Sequence, residues 1–152
     1  MSCMAKLQVF TIGYEGADLD RFLATLKGAS IETLADVRAV ALSRKRGFSK
    51  SALRDALSRE GIGYEHFIKL GTPKEGRQAA RAGDGDLMRR IYCDEVLSTE
   101  DAQDAFRDLE ALAASRPICL LCFERDPAHC HRRILAQRLA SRGFETVDLT
   151  VL

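Results

Sequence analysis

Short apolar runs alternate along the chain with segments of helical periodicity. Apolar, β-branched runs bounded by glycine or polar residues predict strands. Five such runs occur, at residues 6–12, 31–37, 63–68, 118–123 and 144–149. Between them, apolar residues that recur every three or four positions predict helices. The helical segments are residues 19–27, 50–60, 86–97, 99–115 and 130–142. Residues 70–83, which are rich in glycine and charge, predict a long loop.

Polar residues and glycines mark the ends of the predicted helices. Asp18, Ser49 and Ser98 stand just before helical segments. They are predicted N-caps, because their side-chain oxygens can accept hydrogen bonds from free backbone N–H groups. Gly61 and Gly143 follow helical segments and are predicted to end them.

The alternation of strands and helices predicts the α/β class. We expect residues 1–152 to form a single three-layer domain, Rossmann-like, with helices on both faces of a mainly parallel five-stranded sheet. The default doubly wound strand order is 3-2-1-4-5. In such sheets ligands bind outside the carboxyl ends of the strands. The predicted ligand site is therefore formed by the loops at residues 13–18, 38–49 and 124–133.

Composition narrows the class of partner. Of the 152 residues, 46% are apolar and 30% are charged, and the formal net charge is +1. Such a chain has no general positive coat for nucleic acid or a membrane surface, so attraction to anions must come from local clusters. No apolar run approaches the roughly 20 residues that span a bilayer. The first residues also lack the pattern of a signal peptide, and we expect a cytoplasmic protein with no membrane partner.

The number of cysteines bears on whether they are free thiols or form disulfides. Their number is odd, and no segment directs the chain to an oxidising compartment, so the simplest interpretation is free thiols in a reducing cytoplasm. The five are Cys3, Cys93, Cys119, Cys122 and Cys130.

The first loop of the predicted site follows the first strand. Gly13 and Gly16 allow close approach of a ligand and backbone conformations with positive φ. Glu15 is a candidate general base, hydroxyl ligand or arginine partner, and Tyr14 is a candidate for stacking on a base. An ordinary turn between strand and helix has the same pattern.

The second loop concentrates positive charge. Asp36 and Arg38 lie on the same side of a strand end and can form an ion pair. Arginine forks bind phosphate or carboxylate, and the helix that follows Ser49 adds backbone N–H groups, while Ser43 adds a hydroxyl. Phe48 is a second candidate for stacking on a base. A solvated flexible loop is the alternative. The basic residues are Arg38, Arg44, Lys45, Arg46 and Lys50.

The third loop brings a thiol, imidazoles and a carboxylate together. Cys130 is predicted in the first turn of a helix beside His131 and Arg132, and this setting favours thiolate. Glu124 would oppose that effect at close range. The alternatives are that Cys130 is a small residue at the start of the helix, and that Cys119 and Cys122 are buried strand residues.

Two weaker candidates accompany this loop. The cysteines and histidines of residues 122–131 include the ligand types of zinc, but their spacing matches no standard finger, so no metal site is predicted. His66 ends the weak third strand and can fold over the site. A structural hydrogen bond is the alternative for this histidine.

Motifs that cover most of the chain occur in a fixed order. They are TIGYEG at 11–16, DVR at 36–38, SR at 43–44, GFSK at 47–50, Tyr64 with His66, Leu70-Gly71, LLC with Glu124, and CHR at 130–132. Together they resemble the domain-of-unknown-function family 488. The resemblance implies an α/β fold and a polar site built from the three loops, and it implies no particular reaction.

A looser similarity, at the level of the fold alone, is to rhodanese domains. They share a DVR-like second strand and a strand-end cysteine followed by a loop and a helix. Cys122 occupies the position of their sulfur-carrying cysteine. The loop after it contains Glu124, Asp126 and Pro127, in place of the short cradle of backbone N–H groups that a persulfide needs.

The leading hypothesis is an enzyme that acts on a phosphate-bearing substrate, either a nucleotide or a nucleic acid. The alternatives are a nucleic-acid-binding module without catalysis and a thiol or sulfur-transfer protein that uses Cys122 or Cys130. The sequence identifies neither a cofactor nor an oligomeric state. The candidate catalytic residues are Glu15, Glu124, Cys130 and His131. The candidate ligand-binding residues are Gly13, Tyr14, Asp36, Arg38, Ser43, Arg44, Lys50, His66, Cys122 and Arg132.

Overall fold

Five parallel strands form one sheet in the computed structural model, which describes residues 7–152. The α/β class and the parallel sheet are therefore confirmed. Lys6 of the predicted first strand, and Cys3, lie outside the described residues. The strands are β1 (Gln8–Gly13), β2 (Thr33–Asp36), β3 (Gly63–His66), β4 (Ile118–Cys122) and β5 (Glu145–Leu149).

Helices cover both faces of the sheet and complete three layers. The first two helices pack on one face and the remaining four on the other. Two 3₁₀ turns, Ile68–Leu70 and Pro127–His129, and a π-helical turn, Tyr92–Val96, lie between elements. The helices are α1 (Leu19–Gly28), α2 (Lys50–Arg59), α3 (Lys74–Arg81), α4 (Gly85–Ile91), α5 (Glu100–Ser115) and α6 (Arg132–Ala140).

Alternation along the strands divides the apolar residues into two cores. In β4, Cys119 and Leu121 point toward α1 and α2, whereas Ile118 and Leu120 point toward the helices of the other face. All five positions of β4 are buried. In the described part of the chain, no helix is both long enough and apolar enough to cross a membrane.

The order of the strands differs from the default prediction. The observed order is β3-β2-β4-β1-β5, so β4 lies between β2 and β1, and the predicted order 3-2-1-4-5 is wrong. A strand buried on both faces belongs in the middle of a sheet, and β4 is continuously apolar. β1 carries the polar Gln8 and Thr11 and lies one position nearer the edge.

This order decides where a site can form. The chain leaves β1 and β2 toward helices on one face, whereas it leaves β4 toward α6 on the opposite face. The loops therefore diverge on both sides of β4 and leave a crevice at the carboxyl ends of the three strands.

The polar segment at residues 70–83 is not the predicted long loop, because it contains α3. The segment has the composition of a surface loop, and the helix buries only Gly76 and Ala79. Because so few of its residues are buried, the segment lacks the apolar periodicity that predicts a helix in a sequence. Its helical structure depends instead on tertiary packing.

The observed ends of three helices also differ from the predicted ends. The cap of α5 is Thr99 rather than Ser98, because the Thr99 side chain accepts a hydrogen bond from the Ala102 N–H group. The predicted helix 86–97 ends at Ile91 and continues as the π-helical turn. The predicted helix 130–142 begins only at Arg132, after the 3₁₀ turn Pro127–His129, so Cys130 precedes the helix instead of lying in its first turn.

Gly13 lies where β1 and the loop after β4 are closest together. A Cβ atom at this position would be 1.8 Å from the carbonyl oxygen of Glu124. Two residues later, the Glu15 N–H group donates to the carbonyl oxygen of Phe123 at 2.8 Å, which holds the two segments together. Only glycine leaves room for this contact.

We expect Gly13→Ala to lower the free energy of unfolding by about 2 kcal/mol, because the loop after β4 must move to relieve the overlap. Urea denaturation measures this change. Gly28→Ala is the matched control, because its added Cβ would have no atom within 4 Å apart from its chain neighbours and the backbone of its own helix, and its φ is not positive. Equal stabilities of the two variants would contradict the close-packing argument.

Candidate functional site

A cavity of about 680 Å³ opens at the carboxyl ends of β1, β2 and β4. Arg44 and Lys45, in the loop between β2 and α2, form one wall, and Arg77 and Arg81 of α3 form another. Among the described residues that line the cavity, Glu124 is the one carboxylate. The chain is nearly neutral as a whole, so positive charge is concentrated here.

The wall formed by α3 was missed at the sequence level. Arg77 and Arg81 are four residues apart and therefore share one face of the helix. Arg77 Nη1 donates to the carbonyl oxygen of Thr72 at 2.9 Å, which holds this arginine against the start of the helix. The i, i+4 spacing of the two arginines was the signal in the sequence that could have predicted this wall. It indicates a shared face only if the segment is known to be a helix.

Thr72, which precedes α3, has a buried hydroxyl group next to the same wall. Its side chain is buried, and its Oγ1 atom has no hydrogen-bond partner among the described residues. Thr72 lines the cavity. A buried polar group without a partner is rare in folded proteins.

Arg38 lies at the edge of the cavity, but most of its donors serve the protein itself. Its Nε and Nη2 atoms donate to the two carboxylate oxygens of Asp36 at 2.9 and 2.7 Å. Its Nη1 donates to the carbonyl oxygen of Phe48 at 2.7 Å. Burial alone would lower the pKa of Arg38, but its bonds to Asp36 raise the pKa above the ordinary value. The predicted ion pair of residues 36 and 38 is thus present.

Asp36 is itself completely buried behind the cavity wall. The hydroxyl group of Tyr64 donates to its Oδ2 at 2.5 Å. Burial and the hydrogen bond to Asp36 both raise the pKa of Tyr64, so this phenol stays protonated. Asp36 therefore neutralises Arg38, and it is not among the residues that line the cavity.

Tyr14 packs beside Arg38, whose guanidinium carbon lies 5.3 Å from the centre of the Tyr14 ring. Its ring stacks on Phe48 at a centroid distance of 4.6 Å and meets the ring of Phe123 edge-on. Phe48 is fully buried, so the expectation that it stacks on a nucleic-acid base is wrong. Tyr14 lines the cavity, but Phe48 already covers one face of its ring.

Cys122 and Cys130 lie at the floor of the cavity, with their sulfur atoms bonded to each other. The prediction of free thiols is therefore wrong for these two residues, whereas Cys93 and Cys119 are free. Which cysteines meet depends on the path of the loop that follows β4, and the cysteine count alone does not contain that path.

Arg132 donates hydrogen bonds to both sulfur atoms of the cysteine pair. Its Nη1 donates to Cys122 Sγ at 3.1 Å and to the carbonyl oxygen of Glu124. Its backbone N–H group donates to Cys130 Sγ at 3.4 Å. Burial lowers the pKa of Arg132, and the nearby Asp148 opposes that shift. The side chain is fully buried and does not line the cavity, and its observed contacts position the sulfurs.

His131 lies beside the pair in a defined orientation. Its Nε2 is 2.7 Å from the carbonyl oxygen of Val37, which requires a proton on Nε2. The unprotonated Nδ1 then faces Cys130 Sγ at 3.8 Å. Burial lowers the pKa of His131 to about 4, so the ring is neutral at neutral pH.

The two candidate carboxylates differ in their environments. Burial raises the pKa of Glu124, and the negative charge of Glu15 adds to the shift. Glu124 Oε2 lies 3.6 Å from Cys122 Sγ. Glu15 is exposed, lies outside the cavity lining and accepts a hydrogen bond from the Arg125 N–H group at 3.0 Å.

Donor atoms of Cys122, Glu124 and Cys130 lie within 4.8 Å of one another. This spacing is compatible with a metal ion when the sulfurs are separate thiolates. The two sulfurs are bonded to each other in this structure, so the group is not arranged as a metal site.

The structure separates the remaining candidates. Ser43 lines the cavity, but its N–H group donates to Ser49 Oγ, and this contact replaces the predicted side-chain cap of α2. Lys50 is exposed and lies outside the lining. His66 also lies outside it, and its Nε2 contacts the carbonyl oxygen of Arg38 at 2.7 Å. Gly13 shapes the floor without lining the cavity.

The comparisons with known proteins identify one family. The family model described as "Domain of unknown function DUF488" matches residues 18–139. The match includes the basic loop, α3 and both bonded cysteines. No curated protein and no solved structure matches the chain significantly.

We expect Asp36→Asn to lower the free energy of unfolding by about 3 kcal/mol, because it leaves the buried Arg38 charge without its counter-ion. Urea denaturation measures the loss. Lys69→Gln is the control, because both partners of the Lys69–Asp101 pair are exposed and such pairs contribute less than about 1 kcal/mol. A loss no larger than that of the control would show that the buried pair is not needed for stability.

A pH dependence follows from His131. Its pKa is about 4 in the folded protein against an ordinary value of 6.5, so between these pH values the unfolded chain binds a proton that the folded protein does not. The stability that this group contributes is complete above about pH 6.5 and is lost as the pH falls toward 4. The total change is about 3 kcal/mol.

His131→Gln keeps a donor for the Val37 carbonyl oxygen but cannot titrate. We expect unfolding free energies measured from about pH 7 to about pH 4.5 to fall less steeply in this variant than in the wild type. His129→Gln is the control, because His129 is exposed. Parallel curves for all three proteins would contradict the neutral, buried imidazole.

Proposed function

The chain belongs to the domain-of-unknown-function family DUF488, and we propose that its cavity binds a phosphate-bearing ligand. The ligand is a nucleotide-sized molecule or the terminal part of a nucleic acid. The walls formed by Arg44 and Lys45 and by Arg77 and Arg81 hold its negative charge.

The observation that carries this proposal is the hydroxyl group of Thr72. A buried hydroxyl without a partner costs about 1–3 kcal/mol. Thr72 Oγ1 is such a group, and Thr72 is among the residues that line the cavity, beside Arg77. When the Thr72 side chain turns its buried hydroxyl toward the cavity, a phosphate oxygen accepts from this hydroxyl and from the arginine together, and it supplies the partner that the protein lacks.

The charge of the cavity supports the same ligand class. The cations come from two separate segments, so their convergence does not follow from local sequence composition alone. Arginine offers a planar fork of donors that matches phosphate oxygens. The buried Asp36–Arg38 pair leaves the net positive charge of the cavity to the two walls.

The size of the cavity favours a small ligand. Cavities of about 300–1,000 Å³ are typical of small-molecule sites, and this one has about 680 Å³. Within it, Glu124 and His131 are groups that can move protons. An enzyme that acts on the phosphate-bearing ligand is the corresponding hypothesis for catalysis.

Thr72→Val tests the proposal sharply, because valine has nearly the same shape as threonine but no hydroxyl. Removal of an unpaired buried hydroxyl leaves the free protein equally stable or more stable, whereas loss of a hydrogen bond to a charged phosphate weakens binding about tenfold or more. Urea denaturation measures the first effect. Calorimetric titration with ATP and with inorganic pyrophosphate measures the second.

Arg81→Gln and Arg90→Gln form the matched pair for the charge. Both arginines are exposed, but only Arg81 lines the cavity. We expect Arg81→Gln to weaken ATP and pyrophosphate binding about tenfold, and Arg90→Gln to leave it within about twofold. Absence of binding by the wild type, or equal losses in the two variants, would refute the proposed site.

A further inference from the structure

We propose that Cys122 and Cys130 are a redox couple that exchanges with small, negatively charged thiols entering the cavity. This is an activity beyond ligand binding, and it does not require that the ligand be a phosphate. The couple interconverts a disulfide and a dithiol, with a gain or loss of two electrons.

The location of the pair supports exchange. Cys122 ends β4, and Cys130 precedes α6, eight residues later. Both line the cavity although each is only 2% exposed, so a small reagent that reaches the bonded sulfurs comes through the cavity. Cys119 lies completely buried in the core beneath α1 and α2, and no such path leads to it.

The surroundings of the pair stabilise sulfur as thiolate. The Arg132 guanidinium donates to Cys122 Sγ at 3.1 Å, and the Arg132 backbone N–H group donates to Cys130 Sγ at 3.4 Å. A positive group in contact with sulfur favours thiolate and makes a cysteine a better leaving group. Cys122, which contacts the charge itself, is therefore the leaving sulfur.

His131 gives Cys130 a partner for its proton. The Nε2–H group is held by Val37, so the lone pair of Nδ1 faces Cys130 Sγ at 3.8 Å. On reduction the Cys130 sulfur takes up a proton. On oxidation Nδ1 is placed to accept this proton as the sulfur attacks.

The proposed reaction has two steps. An external thiolate attacks Cys130 Sγ, a mixed disulfide forms, and the electrons of the broken S–S bond pass to Cys122, which leaves as thiolate beside Arg132. A second external thiolate attacks the external sulfur of the mixed disulfide and releases Cys130, which is protonated. Overall, two external thiols become one disulfide, and the protein gains two electrons and one proton, which Cys130 carries. The second proton passes to the solvent, because Cys122 remains a thiolate.

The charge of the cavity predicts which thiols react fastest. Arg44, Lys45, Arg77 and Arg81 surround the approach to the pair, so a negatively charged thiol is concentrated there. The matched reagents are 2-mercaptoethanesulfonate, which is an anion, and 2-mercaptoethanol, which is neutral. We expect the anion to reduce the protein several-fold faster at low salt, and the difference to shrink in high salt.

Counting thiols tests the couple directly. The protein is oxidised with glutathione disulfide or reduced with dithiothreitol, denatured, alkylated and weighed by mass spectrometry. We expect five alkylated cysteines in the reduced protein and three in the oxidised protein, with a peptide that joins Cys122 to Cys130. Cys93→Ser is the control, because it removes a free thiol and must still lose two thiols on oxidation.

Two single variants test the assignment of roles. With one partner removed, the mixed disulfide cannot be resolved within the protein. We expect Cys122→Ser to accumulate a glutathione adduct on Cys130, and Cys130→Ser to accumulate much less. Equal adducts in the two variants would overturn the assignment of Cys130 as the attacked sulfur.

The couple would be overturned by five alkylated cysteines after oxidation, or by a link that joins other cysteines. Equal rates for the anionic and the neutral thiol would overturn the substrate class. None of these measurements uses a phosphate compound. Failure of ATP and pyrophosphate to bind therefore bears on the proposed function alone, and failure of the thiol count bears on this inference alone.

Discussion

The rest of the structure depends on how the charge of Arg132 is satisfied inside the protein. A buried guanidinium is tolerated only where acceptors surround it. Here Thr11 of β1, Cys122 of β4 and two carbonyl oxygens of the following loop accept from it. Thr11 in turn donates to Asp148 of β5, so the arginine links three strands and a loop. The loop is drawn against β1, and Gly13 has no side chain to obstruct it.

The arginines have different roles because some are buried and others are not. Arg132 and Arg38 are buried, and their donors are used by sulfur, carboxylate and carbonyl acceptors of the protein. Arg77 and Arg81 lie on an outer helix and form no ion pair with another described residue. The buried arginines therefore set the shape of the cavity, and the outer ones give it a charge. Residues that appear chemically equivalent in the sequence have different roles because their solvation differs.

The sequence predicted those parts of the fold that local patterns determine. The first two helices, the five strands and the importance of the loops after β1, β2 and β4 follow from periodicity, from the cap residue Asp18 and from the rule for parallel sheets. Strand order does not follow from these, because the position of β4 depends on pairing between segments about a hundred residues apart. The helix α3 was missed because so little of it is buried, and with it Thr72 and two of the four wall cations.

The proximity of the cation walls to the cysteine pair links the two proposed activities. A bonded pair is neutral, whereas a reduced pair places a thiolate next to Arg132 at the floor of the same cavity. A bound anion and this thiolate would repel each other at short range across a partly dry cavity. On the two proposals together, we expect an anionic ligand to bind the oxidised protein more tightly than the reduced one. By linkage, such a ligand would stabilise the disulfide by the same free energy. The two proposed activities would then be coupled through the charge of the cavity.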